Sequence, residues 1–367
     1  MRTLFQLLVS IMTFCSLVVG SDNHLSHDIR GQISLIHASS FDGSFDHSPS
    51  TLRYIPQLRL DHQVTDRIRL GFDGALELFA NAQGDSLTRS DYDFYRLTLR
   101  YDSPATQIRL GLQKINFGPA RMLRVLQWFD QLDPRDPLAL SPGVWAAMGR
   151  YYFENGMNLR LWTMTDAPNT WRDIMSTPSE KPWDTGGRLE YPLPAGTFGI
   201  TMHSLDVWNA SGIKENRLAG DFRMDVVIGI WSEAMFSRVE LPSTKIDIIT
   251  TMAGIDYTFV LGNGLYVALE MLSSNQGSLT NEMQWQVRSL ALMSTYTLSL
   301  EDGLTAYLYA IQSPDLETQY MPMLGWQHNR GNWLFYLALY DMPETIRGGA
   351  MALPAGTGLQ LNIAFNH

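Results

Sequence analysis

Cysteine is all but missing: the 367-residue chain has one, Cys15. It lies within a short apolar leader, behind Thr13 and Phe14, which do not suit a lipoprotein site. After that leader disulfides and thiolate metal centres are excluded. Charge is scarce too, at 17% Asp, Glu, Lys and Arg, and the balance of -10 argues against a nucleic-acid partner. Beyond Gly20 no apolar run approaches the roughly 20 residues that a membrane helix needs. No G-x-S-x-G, H-E-x-x-H or phosphate-cradling glycine loop occurs. The histidines are scattered: His24, His27 and His367 lie near the ends, His37 and His47 near a loop rim, and His203 and His328 alone. Asp46-His47 and Asp61-His62 read as chance neighbours. Nothing therefore predicts an enzyme, a cofactor or a metal.

What is present points elsewhere. Arg2, the apolar stretch Leu4 to Val19, and small Val18 and Gly20 before Ser21 form a secretory signal, predicted as residues 1–20. Residues 21–367 then form one unit, with aromatics at 11%. Apolar and polar residues alternate along it. Leu52, Tyr54, Pro56, Leu58 and Leu60 share one face; Arg53, Gln57, Arg59 and Asp61 share the other. Ile68, Leu70, Phe72, Leu76 and Leu78 oppose Arg67, Arg69, Asp73 and Glu77. Tyr95, Leu97, Leu99 and Tyr101 oppose Arg96, Thr98, Arg100 and Asp102. Helical spacing would mix these charges into the apolar face; strands separate them. An exported chain of such strands, with no spanning helix, fits a transmembrane antiparallel up-and-down β-barrel.

Connections alternate in length. Short turns fall near Thr65-Asp66, Ser103-Pro104, Asn155-Gly156, Ala195-Gly196, Asp225-Val226, Asn263-Gly264, Asp302-Gly303 and Arg330-Gly331. Longer ones are predicted near 40–50, 83–91, 117–143, 166–184, 208–216, 239–245, 274–284, 313–318 and 341–354. The count is about 18 strands, with 16 as the neighbouring even number. Both termini then lie on the short-turn, periplasmic rim of a bacterial outer membrane. The first strand is predicted near Asp28, leaving no room for an N-terminal plug.

The last strand alternates Leu359, Leu361, Ile363 and Phe365 with Gln360, Asn362 and Ala364. It resembles the strand that closes many outer-membrane barrels, whose terminal aromatic is recognised by the barrel-assembly machinery; here Asn366 and His367 follow the Phe. Phe117 to Tyr152 is the longest break in the alternation, and its loop joins strands five and six. General diffusion porins fold the loop at this place into the lumen. FGPARMLRVLQWFDQLDPRDP also resembles porin-like outer-membrane proteins, including alginate-export-like barrels. The resemblance implies a constriction but carries over no substrate residue.

The residues of that loop have their own physics. The Asp-Pro steps stiffen 133–137, and 122–128 is expected to form a short helix. Arg121, Arg124, Asp130, Asp133, Arg135 and Asp136 are the candidate pore lining. On the wall, Arg53, Arg59, Arg69, Arg96, Arg100, Arg109, Arg150 and Arg160 are expected to face inward, as are Asp73, Glu77, Asp221, Glu233, Asp256 and Glu270. A charge at mid-depth on the lipid face would cost about 2–4 kcal/mol. An arginine wall facing an acidic wall would set a transverse field.

The expected function is a passive porin for small hydrophilic solutes, favouring anionic or carboxylate-bearing ones. The alternatives are an exporter of an anionic polysaccharide and a barrel lipase or protease. The expected partners are outer-membrane lipid and lipopolysaccharide, small polar solutes, and other copies in a homo-oligomer.

Overall fold

A computed structural model describes residues 25–41, 48–130, 132–133, 135–165, 183–205, 214–241, 244–278, 285–314, 316–344 and 353–367. The predicted signal and several predicted long connections fall wholly or partly outside them.

Eighteen strands form in chain order. They begin with β1 (Leu25–Ser40), β2 (Pro49–Thr65), β3 (Ile68–Gln83), β4 (Ser86–Asp102), β5 (Thr106–Gln113) and β6 (Val144–Tyr152). Next come β7 (Asn158–Thr165), β8 (Trp183–Leu193), β9 (Gly196–Leu205), β10 (Lys214–Asp225), β11 (Gly229–Glu240) and β12 (Lys245–Phe259). The last are β13 (Leu265–Ser278), β14 (Trp285–Thr297), β15 (Asp302–Gln312), β16 (Gln319–Arg330), β17 (Trp333–Met342) and β18 (Gly356–Asn366). Each pairs antiparallel with its sequence neighbours, and β1 pairs with β18 over Gln32–Asn366 to Ser40–Gly358. The sheet closes on itself, which removes both edges.

The alternation sorts side chains as predicted. Leu52, Leu70, Leu78 and Leu99 stand exposed on the outer face, while Thr98, Asp221, Glu233 and Glu270 are buried inside. Long apolar side chains outside and polar ones within are the pattern of a barrel whose solvent is lipid.

Three local expectations are corrected. The connection at 83–91 is a tight turn: Gln83 pairs with Ser86, and Gly84 takes a positive φ of 54°. Two strands run on there, and the polar run Arg89, Ser90 and Asp91 pairs in the ladder with Asn81, Ala80 and Phe79. Tyr95 does not share the apolar face of Leu97. A register shift between Ala75 and Leu76 turns it inward, where its hydroxyl accepts the Ser141 N–H at 3.4 Å. Residues 122–128 form turns and bends, not a helix.

Candidate pore constriction and inner wall

Residues 114–143 leave β5, cross the lumen and return as β6. Two carboxylates on the far wall hold the crossing. Glu233 of β11 accepts the N–H groups of Ala120 at 2.9 Å, Val125 at 2.8 Å and Leu126 at 2.9 Å. Glu270 of β13 accepts those of Arg121 at 2.7 Å, Met122 at 2.9 Å and Leu123 at 2.5 Å. The Trp231 indole also donates to Glu270, at 2.9 Å. This is why no helix forms: amides that would seek carbonyls four residues back are taken by carboxylates instead. Both glutamates are fully buried.

Apolar packing fixes the rest. Ala120, Met122 and Val125 lie against Trp231, Met252, Ala268, Tyr309 and Tyr336 of the far wall. Phe117, Leu126, Trp128 and Phe129 pack on Met148, Trp162 and Met164. His203 sits among those rings, 4.8 Å from Phe129 by ring centroids, and its Nδ1 accepts the Trp162 indole N–H at 3.3 Å. At the far end of the loop, Arg96 donates to the Ser141 carbonyl at 2.7 Å and lies over the Tyr95 ring.

The six loop residues proposed as lining occupy different settings. Arg121 is the most open, with 38% of its side chain exposed, paired with Asp256 at 3.1 Å. It also lies over the Trp231 and Tyr266 rings. Arg124 and Asp130 form a bidentate pair at 2.7 and 2.9 Å. They are folded into the loop itself, with side chains 6% and 1% exposed, so they do not face open water. Arg135 grips Asp133 with Nε at 2.9 Å and Nη2 at 2.7 Å, next to Met342. Asp136 accepts the Leu138 N–H at 2.9 Å, and burial pushes its carboxyl above the usual range. The carbonyls of the two aspartates accept the N–H groups of Asp136 at 3.1 Å and Ala139 at 3.0 Å, two successive turns.

Gly118 carries the entry of the loop. Its φ is +82°, and a Cβ there would run into the Glu233 carboxylate. Gly118→Ala is expected to dislodge the loop from Glu233, read as a larger and noisier single-channel conductance. Arg124→Ala removes two charge-assisted bonds to the buried Asp130 carboxylate, at a cost of about 1.5–3 kcal/mol each. Protease cleavage within 114–143, absent in the parent, would report it.

The inner wall holds the predicted arginines, in an arrangement that spacing alone does not give. Arg100 stands directly opposite Arg109, Arg150 opposite Arg160, and Arg160 opposite Arg188. Like charges in direct register destabilise a sheet. Some are compensated: Arg100 by Asp61 and Asp102, Arg160 by Glu190 at 3.0 Å, and Arg188 by Asp221 at 2.5 Å. Arg53 pairs with Glu77 at 2.6 Å, and Arg59 with Asp61 and, at 3.7 Å, Asp73. Among the described residues Arg69 bonds to Gln63, at 3.2 Å, and it is exposed. Arg67 falls in the turn after β2, outside any strand. Among the described residues no carboxylate lies within 4.0 Å of Arg109 or Arg150. Arg150 has only Asn158 at 3.0 Å and the Tyr152 ring.

The acids do sit on the inner face, but they form no open acidic wall. Glu233 and Glu270 are sealed beneath the loop, Asp221 is taken by Arg188, and Asp256 by Arg121. The far wall carries tyrosine and methionine instead, packed in one cluster with the loop: buried Tyr309, Tyr336, Tyr340, Met321 and Met323, and half-buried Tyr307. The expected transverse field becomes a one-sided one, basic on β4 to β8. Arg188 and the tyrosine wall were not singled out from sequence. Arg188 could have been, since Leu189 beside it is outward and Arg188 continues the inward alternation.

Fold and site together define a constricted, closed β-barrel of the porin type. Solved structures of that type align over nearly the whole chain. OccAB1 of Acinetobacter baumannii superposes with TM-score 0.58 at 8% identity, over 94% of this chain and 96% of its own. OccD3 (OpdP) of Pseudomonas aeruginosa gives 0.57 at 10% identity, over 93% and 91%. An anion-selective porin from Comamonas acidovorans gives 0.53 at 14%, over 94% and 100%. At these identities the likeness is one of fold. No family model and no curated protein matches the chain. The alginate-export-like wording of 117–137 therefore stands as a resemblance only.

Proposed function

We propose that the chain is a passive channel of a bacterial outer membrane, with both termini periplasmic, passing small hydrophilic solutes and favouring anionic or carboxylate-bearing ones. The observation that carries this is the set of directly opposed arginine pairs across β4 to β8. Stability alone disfavours that register. A row of guanidiniums in which Arg109 and Arg150 stand outside any ion pair among the described residues offers successive bidentate partners to a moving carboxylate. The tethered loop presses the water path against this wall. The Comamonas relative in fold is an anion-selective porin, which agrees with the reading.

Liposome swelling tests it. Vesicles holding the purified chain should swell faster in a small carboxylate solute than in a neutral solute of the same size. Equal rates, or faster entry of a cationic amine, would overturn the anionic preference; no swelling at all would overturn the channel.

A further inference from the structure

The outer face carries a patch that the transport reading does not use. On β11 to β15, Ser232, Ala253, Met271, Leu290 and Ala310 stand in direct register as one row around the barrel. Two residues along each of the middle strands lies a second row: Thr251, Ser273, Arg288 and Gln312. These side chains line a groove of about 550 Å³. The second row is the one nearer the long-connection rim, since Trp285 begins β14 and Gln312 ends β15.

Arg288 is exposed there. Two other basic side chains on this outer rim are matched: Arg238 with Asp247 at 2.8 Å and Lys245 with Glu240 at 2.7 Å. Among the described residues Arg288 has no carboxylate within 4.0 Å. The groove thus runs from an uncompensated guanidinium flanked by hydroxyl and amide groups, at interface depth, to an apolar floor of alanine, leucine and methionine. That gradient matches a lipid lying along the strands, anionic head at the rim and acyl chain on the floor.

We infer that this groove binds a phosphorylated glycolipid of the outer leaflet, its phosphate on Arg288 and an acyl chain along Ala253, Met271, Leu290 and Ala310. The inference rests on the outer-membrane reading, and within it the rim position selects the outer leaflet over inner-leaflet phospholipid.

The test uses the full chain in detergent, with lipid retention counted by native mass spectrometry. The probes are bis-phosphorylated lipid A, its dephosphorylated form and phosphatidylglycerol. The parent should retain lipid A in preference to both others. Arg288→Gln removes a charge-assisted contact and should weaken retention about tenfold. Ala253→Leu with Ala310→Leu fills the floor and should weaken it with Arg288 intact. Equal retention by Arg288→Gln, or equal retention of phosphatidylglycerol, overturns the inference. So does a change of oligomeric state in the floor variant, which would make the face a contact between copies. Insertion of the parent into lipid vesicles is scored separately. Failure there defeats the membrane reading itself, whereas normal insertion with no lipid A preference defeats only this site.

Discussion

Replacing Glu233 and Glu270 together by alanine raises single-channel conductance severalfold and makes it unsteady. Each glutamate accepts three loop amides, and Glu270 a tryptophan N–H besides. Bonds to a charged acceptor contribute about 1.5–3 kcal/mol each. Their loss leaves the amides of 120–126 facing an apolar wall, and release into the lumen water is the way to satisfy them. The strand ladders are untouched, so the barrel should keep its resistance to unfolding in detergent. The glutamine pair separates charge from shape. A carboxamide has one acceptor oxygen and presents donors to donors, so its conductance should fall between parent and alanine. Parent-like conductance in the alanine pair would show that apolar packing alone seats the loop.

Arg109→Ala with Arg150→Ala should abolish most of the anion preference without changing the width of the path. A unit charge about 6 Å from an ion in water interacts by about 0.7 kcal/mol. Two such charges then enrich a passing anion about tenfold. The effect should fade as salt rises, because the screening length drops from about 10 Å at 0.1 M to about 3 Å at 1 M. Paired arginines provide the control. Arg53→Ala with Glu77→Ala removes a balanced pair, no net charge, and should shift selectivity much less. Reversal potentials at low and high salt check both. Equal shifts from paired and unpaired arginines would contradict the assignment.

Much of the barrel was legible because lipid and water impose a period of two on every strand. Arg53, Arg100 and Arg160 could be placed inward from their apolar neighbours alone. The break at 117–143 was legible because Asp-Pro steps and clustered charge cannot continue a strand. Legibility failed where partners come from far along the chain. Nothing near Met122 announces that a glutamate 148 positions away takes its N–H, so local propensity predicted a helix that the carboxylates forbid. Arg124 and Asp130 looked like free charges until the fold closed them on each other. The β3–β4 hairpin read as a loop because Thr88, Arg89, Ser90 and Asp91 are polar at every position, and period two disappears there. The bulge at Tyr95 left no local mark either: one extra residue reverses a side chain without changing composition.

The zero-current potential of the parent channel in a potassium chloride gradient bears most directly on the central claim. Chloride-selective potentials at low salt, weakening as salt rises, are the predicted result. Potassium-selective potentials would mean that Arg109 and Arg150 on β5 and β6 do not face the permeating ion, and would contradict the account.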